Sequence, residues 1–197
     1  MNFESAVQAI YHITTKKPKS LDRWTVLKLV FFADRYHLRK YGRTITDDNY
    51  YAMENGPVAT TVYDIIKGVI EKNEKKYVEK YLKYLNNNQN ITNTKQGLET
   101  DHLSETDKEA LDFAVATFGH YKPKTLVAIA HNYPEWKKFE DIFKYNPRAR
   151  INMDIQDFFE NPSDSDLKSN AALDSDPFKV IQNDIIQCSK EIFLGNM

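Results

Sequence analysis

"LDRWTVLKLVFFADRYHLRKYG", Leu21 to Gly42, is the stretch on which the fold turns. Trp24, Leu27, Val30, Phe31, Leu38 and Tyr41 recur at helical spacing, with Val26, Leu29 and Phe32 beside them. An apolar set this broad is too wide for the stripe of a surface helix. It predicts a central, buried helix running from about Leu21 or Asp22 to Lys40, closed by Gly42 at the C′ position.

Upstream, Phe3, Ala6, Val7, Ile10 and Tyr11 follow helical spacing behind a capping Asn2, and Lys16 to Ser20, with Pro18 inside, ends that helix. Downstream, Thr46 to Asn49 is turn chemistry, and Asn49 to Glu54 alternates aromatic and polar residues as a short strand does. Gly56-Pro57 fits a helix start, with Gly at the cap and Pro at the first helical position, and Val58, Val62, Ile65, Ile66 and Ile70 supply that helix's buried face. Glu71 to Leu85 reads as a solvated helix with a tyrosine stripe at Tyr77, Tyr81 and Tyr84. Asn86 to Asn90 is a polar loop, and Ile91 to Gln96 is a second strand, expected to pair with the one at Asn49.

Ser104 with Asp107 forms a capping box ahead of a helix that buries Leu111, Ala114, Val115 and Phe118 and stops at Gly119. Pro123 to His131 makes a further helix, and Pro134 opens a short one with Trp136 and Phe139. Beyond Tyr145 the chain turns polar through Ala171, broken by Phe158-Phe159. Asp176-Pro177 then caps a last helix whose Phe178, Ile181, Ile185, Cys188 and Ile192 form a heptad-like seam. The expected fold is mainly α with a minor β element: a compact helical domain with a small β-hairpin over residues 1–145, then a loosely attached polar linker and C-terminal helical arm over 146–197.

Composition narrows the function. The 197 residues are 41% apolar and 28% charged, but 27 basic side chains against 28 acidic ones leave a net charge of -1. No global positive field is present, so nucleic-acid binding would need a local patch. One cysteine excludes an intrachain disulfide framework and a thiolate metal cluster. The first twenty residues lack the pattern of a secretory signal, and the longest apolar run, "VLKLVFFA", is too short to span a bilayer and carries a lysine. These features point to a cytoplasmic protein without membrane attachment.

Asp34 and His37 lie at i and i+3 and can share a helix face. They suit half a metal site or an Asp-oriented base, against the plainer reading of a polar pair on the exposed strip of a buried helix. No further ligand lies at motif spacing, and His12, His102, His120 and His131 share none. The glycines are dispersed, so there is no phosphate-cradling loop. Cys188, within its seam, reads as a small hydrophobe. Arg35, Arg39, Lys40 and Arg43 could face a phosphate backbone, but the helix is too apolar for a groove and a solvated basic face is the better account. Tyr50, Tyr51, Met53, Tyr63, Tyr77, Tyr81 and Tyr84 are amphipathic anchors of the kind protein interfaces favour, which leaves a binding module as the favoured class.

Two ordered blocks carry a resemblance. Lys28 to Leu38, Tyr41 to Thr46, Tyr51 to Val58 and Tyr63 match a K-L-ϕ-ϕ-F-A-D-x-x-H-L helix, a Y-G-x-x-I-T turn, a Y-x-A-x-x-x-G-P-V step and a trailing tyrosine. "LSETDKEALDFAVATFGHYKPKTLVAIAHNYPEWKKF" adds a leucine-serine cap and a His131-x-x-Pro134-x-Trp136 step. Over about residues 3 to 140 the chain resembles the Panacea domain of the SocA-like antitoxin family. The resemblance implies a mainly helical fold with a small hairpin and a non-enzymatic role in neutralising a cognate protein toxin by direct binding. Alternatives are an adaptor delivering the toxin to a protease, or a DNA-binding regulator. Partner choice is expected in Glu71 to Thr100 and in the arm after Phe139, and the C-terminal helix is a candidate for self-association. The candidate motif or partner-binding residues are Asp34, His37, Tyr51, Met53, Glu54, Gly56, Pro57, Val58 and Tyr63, with no catalytic residue, metal or cofactor implied. They support either a structural turn or a pocket between the second helix and the Gly-Pro step.

Overall fold

The computed structural model describes residues 2–17, 19–87, 89–168, 173 and 175–195. Pro18, Asn88 and part of the 146–171 stretch, each included in an expectation above, lie outside the described residues. In chain order the elements are α1 (Phe3–Thr15), β1 (Leu21–Asp22), α2 (Arg23–Tyr41), β2 (Tyr50–Met53), β3 (Gly56–Ala59), α3 (Thr60–Lys67), α4 (Lys72–Tyr81), β4 (Leu82–Leu85) and β5 (Asn90–Asn93). They continue as α5 (Glu105–Phe118), α6 (Pro123–Ala130), α7 (Pro134–Lys137), α8 (Glu140–Tyr145), β6 (Ile151–Asn152), α9 (Asp164–Lys168) and α10 (Asn183–Gly195), with 3-10 turns at Ile155–Phe159 and Pro177–Val180. Of the described residues 58% are helical and 11% lie in strands, so the fold is mainly α with minor β.

α2 is the axis, and every residue from Thr25 to Arg39 is buried. Asp22 caps its start by accepting from Trp24 N–H, and Gly42 ends it at φ +75°. Gly42 also has no room for a side chain: a Cβ there would meet the Ser189 carbonyl oxygen at 2.9 Å and Ile192 Cγ2 at 3.1 Å. α1, α5 and α6 pack around this axis, with Phe32 stacked on Phe118 at 4.0 Å between ring centroids. Asn2 caps α1, and Ser104 with Asp107 forms the expected capping box on α5.

The β content is larger than one hairpin. β3-β2-β6 and β1-β5-β4 form two three-stranded antiparallel sheets. The strand at Ile91 therefore does not pair with the one at Tyr50, because β2 already has β3 on one edge and β6 on the other. The end of the stretch expected as a solvated helix is instead β4, which begins at Leu82 directly after α4 ends at Tyr81. Asn86 and Asn87 turn the chain toward β5 at positive φ, a conformation asparagine tolerates.

Gly56-Pro57 does not start a helix. Met53 pairs with Gly56 across a two-residue turn, and Gly56 at φ +93° leads into β3. Pro57 is tolerated in β3 because this strand lies at the sheet edge. α3 begins later, at Thr60, and its first turn is capped from a distance: Asp48 Oδ2 accepts from the N–H groups of Thr61 at 2.7 Å and Val62 at 3.2 Å.

The described residues after 145 are not loosely attached. β6 adds to β2, and Phe158, wholly buried, meets Phe31 at 5.5 Å and Tyr50 at 5.1 Å between centroids. Burying one such ring stabilises the docking by roughly 1.5–3 kcal/mol. Arg35 and Arg39, expected on a solvated basic face, are buried too. Arg39 Nη1 donates to the carbonyls of Phe158, Phe159 and Glu160, and Arg35 Nη2 donates to Glu160 O at 2.6 Å. The heptad-like seam divides: Phe178 and Ile181 enter the core from the 3-10 turn, whereas α10 docks through Ile186, Ser189 and Phe193. Ile185, Cys188 and Ile192 are exposed, so Cys188 is not a core thiol. The break at Ile181–Gln182 resets the helical phase, which is why one continuous spacing does not hold.

Candidate functional site

Asp34 is wholly buried on α2 and faces the turn that feeds β2. Its Oδ1 accepts from the N–H groups of Ile45 at 2.7 Å and Thr46 at 3.2 Å. Its Oδ2 accepts from the hydroxyls of Thr46 at 2.6 Å and Tyr50 at 2.7 Å. Burial pushes the carboxyl above its ordinary pKa while these donors pull it back. Burial, with Asp34 alongside, pushes the Tyr50 phenol well up.

His37 is equally buried and points elsewhere. Nδ1 donates to Arg43 O at 2.8 Å, and Nε2 lies 3.0 Å from Thr106 Oγ1 and 3.1 Å from Asp107 Oδ1. Burial opposes ionisation of Asp107, but the bonds from His37 and Ser104 and the charge of Arg43 overcome it, holding the carboxyl at about 2. Asp34 and His37 thus do not form the polar strip expected on the exposed side of the helix. Each has its polar atoms engaged, Asp34 with residues 45–50 and His37 with Arg43 and the start of α5.

Gly56, Pro57 and Met53 converge on three residues from other elements. The Lys28 Nζ, wholly buried, donates to Pro57 O at 2.8 Å, and burial lowers its pKa to about 7. A Cβ on Gly56 would lie 2.8 Å from that Nζ and 3.4 Å from His131 Cδ2, so a side chain there would displace the lysine, and φ +93° itself favours glycine. The His131 ring stacks on Trp136, with centroids 3.4 Å apart and planes within 2°. Trp136 Nε1 in turn donates to Met53 O at 2.8 Å. Burial, then the charges of Lys28 and Lys137, press the His131 pKa down to about 3, so the ring is neutral. Its Nε2 is buried without a hydrogen-bond partner among the described residues. The cluster locks α2 and the α6–α7 corner to the hairpin.

The remaining candidates separate from these. Val58 is core. Tyr51 lies under the Arg150 guanidinium at 4.1 Å, Tyr63 beside Lys67 Nζ at 4.8 Å, and Glu54 is exposed at the hairpin turn. Lys28 is a site residue that the sequence reading misses although it carries a signal: a lysine in the middle of an apolar helix has no solvated face to occupy. Arg35, Arg39 and Glu135 give no comparable signal, since their partners lie 100 or more residues away.

Beneath the hairpin turn, between the first turns of α2 and α6, a cleft of ≈ 740 Å³ opens, lined by Asp22, Trp24, Asn55, Lys122, Pro123 and Val127 among others. Trp24 lies one helical turn before Lys28, Val127 one turn before His131, and Asn55 next to Gly56. The cleft therefore stands directly outside the locked cluster.

The geometry defines an internally braced helical scaffold in which the motif's polar groups hold the hairpin in place. The family model described as "Antitoxin SocA-like, Panacea domain" matches residues 26–137 of the 197, from α2 through α7. The chain belongs to this family. Neither the search of curated proteins nor the search of solved structures gave a significant match. No helix among the described residues is long and apolar enough to cross a membrane.

Proposed function

We propose that this protein is the antitoxin of a toxin–antitoxin pair and neutralises its toxin by binding it directly in the cytoplasm, without catalysing a reaction. The family match over residues 26–137 carries this reading, since the family is one of antitoxins and its implied partner is a protein toxin. The geometry supports it. Asp34 and His37, the pair best suited to acid-base or metal chemistry, have both carboxylate oxygens and both ring nitrogens engaged in holding turns. α2 is buried from Thr25 to Arg39 and so is not placed to enter a DNA groove. The motif residues Asp34, His37, Met53, Gly56, Pro57 and Val58 act as scaffold, and Tyr51, Glu54 and Tyr63 remain as outward candidates for partner contact. Residues 1–145 form the family domain in this reading, with 146–197 as an accessory segment.

The test is co-expression with the product of the neighbouring gene. Restored growth and co-purification of the two proteins are expected. A wild-type chain that neither rescues nor binds its neighbour overturns the reading. The adaptor alternative separates by toxin lifetime: rescue that requires a protease and shortens the toxin's half-life replaces direct neutralisation.

A further inference from the structure

The cleft between α2, the hairpin turn and α6 combines an apolar lining with a cationic rim. Its walls are the half-buried Trp24 ring, Pro123 and Val127, with Lys122 and Lys124 at the edge. The Arg23 guanidinium lies over the Trp24 ring at 5.4 Å, and its Nε has no hydrogen-bond partner among the described residues. The one carboxylate in the lining, Asp22, is held at the start of α2 by Trp24 N–H at 2.8 Å. Its charge is matched to the helix terminus, leaving Lys122 and Lys124 as the cations at the edge of an apolar floor. In a chain of net charge -1 this is a local feature.

The floor adjoins the braced cluster. Trp24, Val127 and Asn55 are each next to, or one turn from, members of the Lys28–Gly56–His131 lock. A preformed apolar pocket with an aromatic wall and a charged rim suits a hot-spot side chain surrounded by complementary charge.

We propose that this cleft is where the partner toxin docks, through a segment presenting a bulky apolar or aromatic side chain flanked by carboxylates. The proposal rests on the antitoxin reading and adds the surface and the chemistry of the partner. Unlike Arg35 and Arg39, the rim lysines hold no backbone carbonyls among the described residues, so charge reversal there is expected to leave the fold intact.

The test uses the full chain and the purified product of the neighbouring gene. Lys122→Glu with Lys124→Glu is expected to weaken binding about tenfold, mainly through a slower association rate that loses its salt dependence. Trp24→Ala is expected to weaken it about thirtyfold through faster dissociation. Thermal melting of the lysine double variant should match wild type, which keeps the test valid even where Trp24→Ala lowers stability. Wild-type binding with unchanged affinity and salt dependence in the double variant overturns the cleft and leaves the antitoxin reading standing. A double variant that changes self-association but not toxin binding also overturns it, as a contact between copies. Wild-type protein that binds no neighbour overturns both.

Discussion

Arg35 Nη1 lies 2.6 Å from Glu135 Oε1, with both side chains wholly buried, and this contact ties α2 to α7 across 100 residues of chain. The guanidinium also lies over Tyr133 at 4.4 Å and Phe178 at 5.2 Å, so its charge is enclosed by rings. Burial pushes the Glu135 carboxyl up, and the Arg35 charge works against that. Removing one partner leaves the other charged and uncompensated. Glu135→Gln is expected to lower unfolding free energy by about 3–5 kcal/mol, whereas replacing both residues with methionine costs far less. Urea denaturation of the two variants checks this, and a Glu135→Gln midpoint equal to wild type would show the pair to be dispensable.

Asp34 positions the hairpin. Four donors from residues 45–50 end on its two oxygens, and that turn delivers Tyr50 into β2. Asp34→Asn places an amide against those donors and is expected to cost about 2–4 kcal/mol, since each bond to a charged acceptor is worth roughly 1.5–3 kcal/mol and part is recovered by rotation. Tyr50→Phe removes a single donor and costs less. Hydrogen exchange at the Ile45 and Thr46 amides should accelerate in Asp34→Asn beyond the global change. Unaltered protection there would mean the turn is held by its backbone alone.

The parts of this fold legible in the sequence are those whose cause is local. The ends of α2 follow from Asp22 and Gly42, and the start of α5 from Ser104 and Asp107, because a cap and its helix are neighbours in sequence. The apolar run through the middle of α2, Val26 to Ala33 broken only by Lys28, likewise announces burial. The misreadings have distant causes. Gly56-Pro57 has the form of a helix start, but pairing with Met53 and Ala52 makes it a strand. Arg35 and Arg39 look solvated until residues 158–161 bring carbonyls to them. Asp34 and His37 are legible as a pair on one helix, yet their partners on the 43–50 turn and α5 separate their roles. The Lys28–Gly56–His131 contact needs three elements at once, and only the lysine's apolar setting hints at it.

Lys28 makes stability depend on pH. Burial lowers its pKa from 10.5 to about 7 in the folded chain. Between those values the unfolded chain binds the proton that the folded chain releases, so stability rises with pH from about 7 toward 10.5. The slope contributed is at most about 1.4 kcal/mol per pH unit. Below pH 7 both states are protonated and this contribution is flat. Urea midpoints at about pH 7, 8 and 9 should increase more steeply for wild type than for Lys28→Met, in which the titrating group is gone. Parallel profiles for the two proteins would show that the lysine keeps its charge in the folded state.

Cys188 gives a direct test of how α10 is docked. The helix buries Ser189 and packs Ile186 and Phe193 against the core, which leaves Cys188 exposed together with Ile185 and Ile192. At low micromolar concentration the thiol is expected to react with a disulfide reagent in the native protein, to one thiol per chain and at a rate within a few-fold of that after unfolding. A native thiol that reacts only in denaturant would mean the opposite face of α10 is docked. Protection that grows with protein concentration, and is relieved by Ile185→Asp, would identify the exposed face around Ile185 and Cys188 as a contact between copies. The stoichiometry and the concentration series together therefore decide between a helix docked on its own domain and one that also joins two chains.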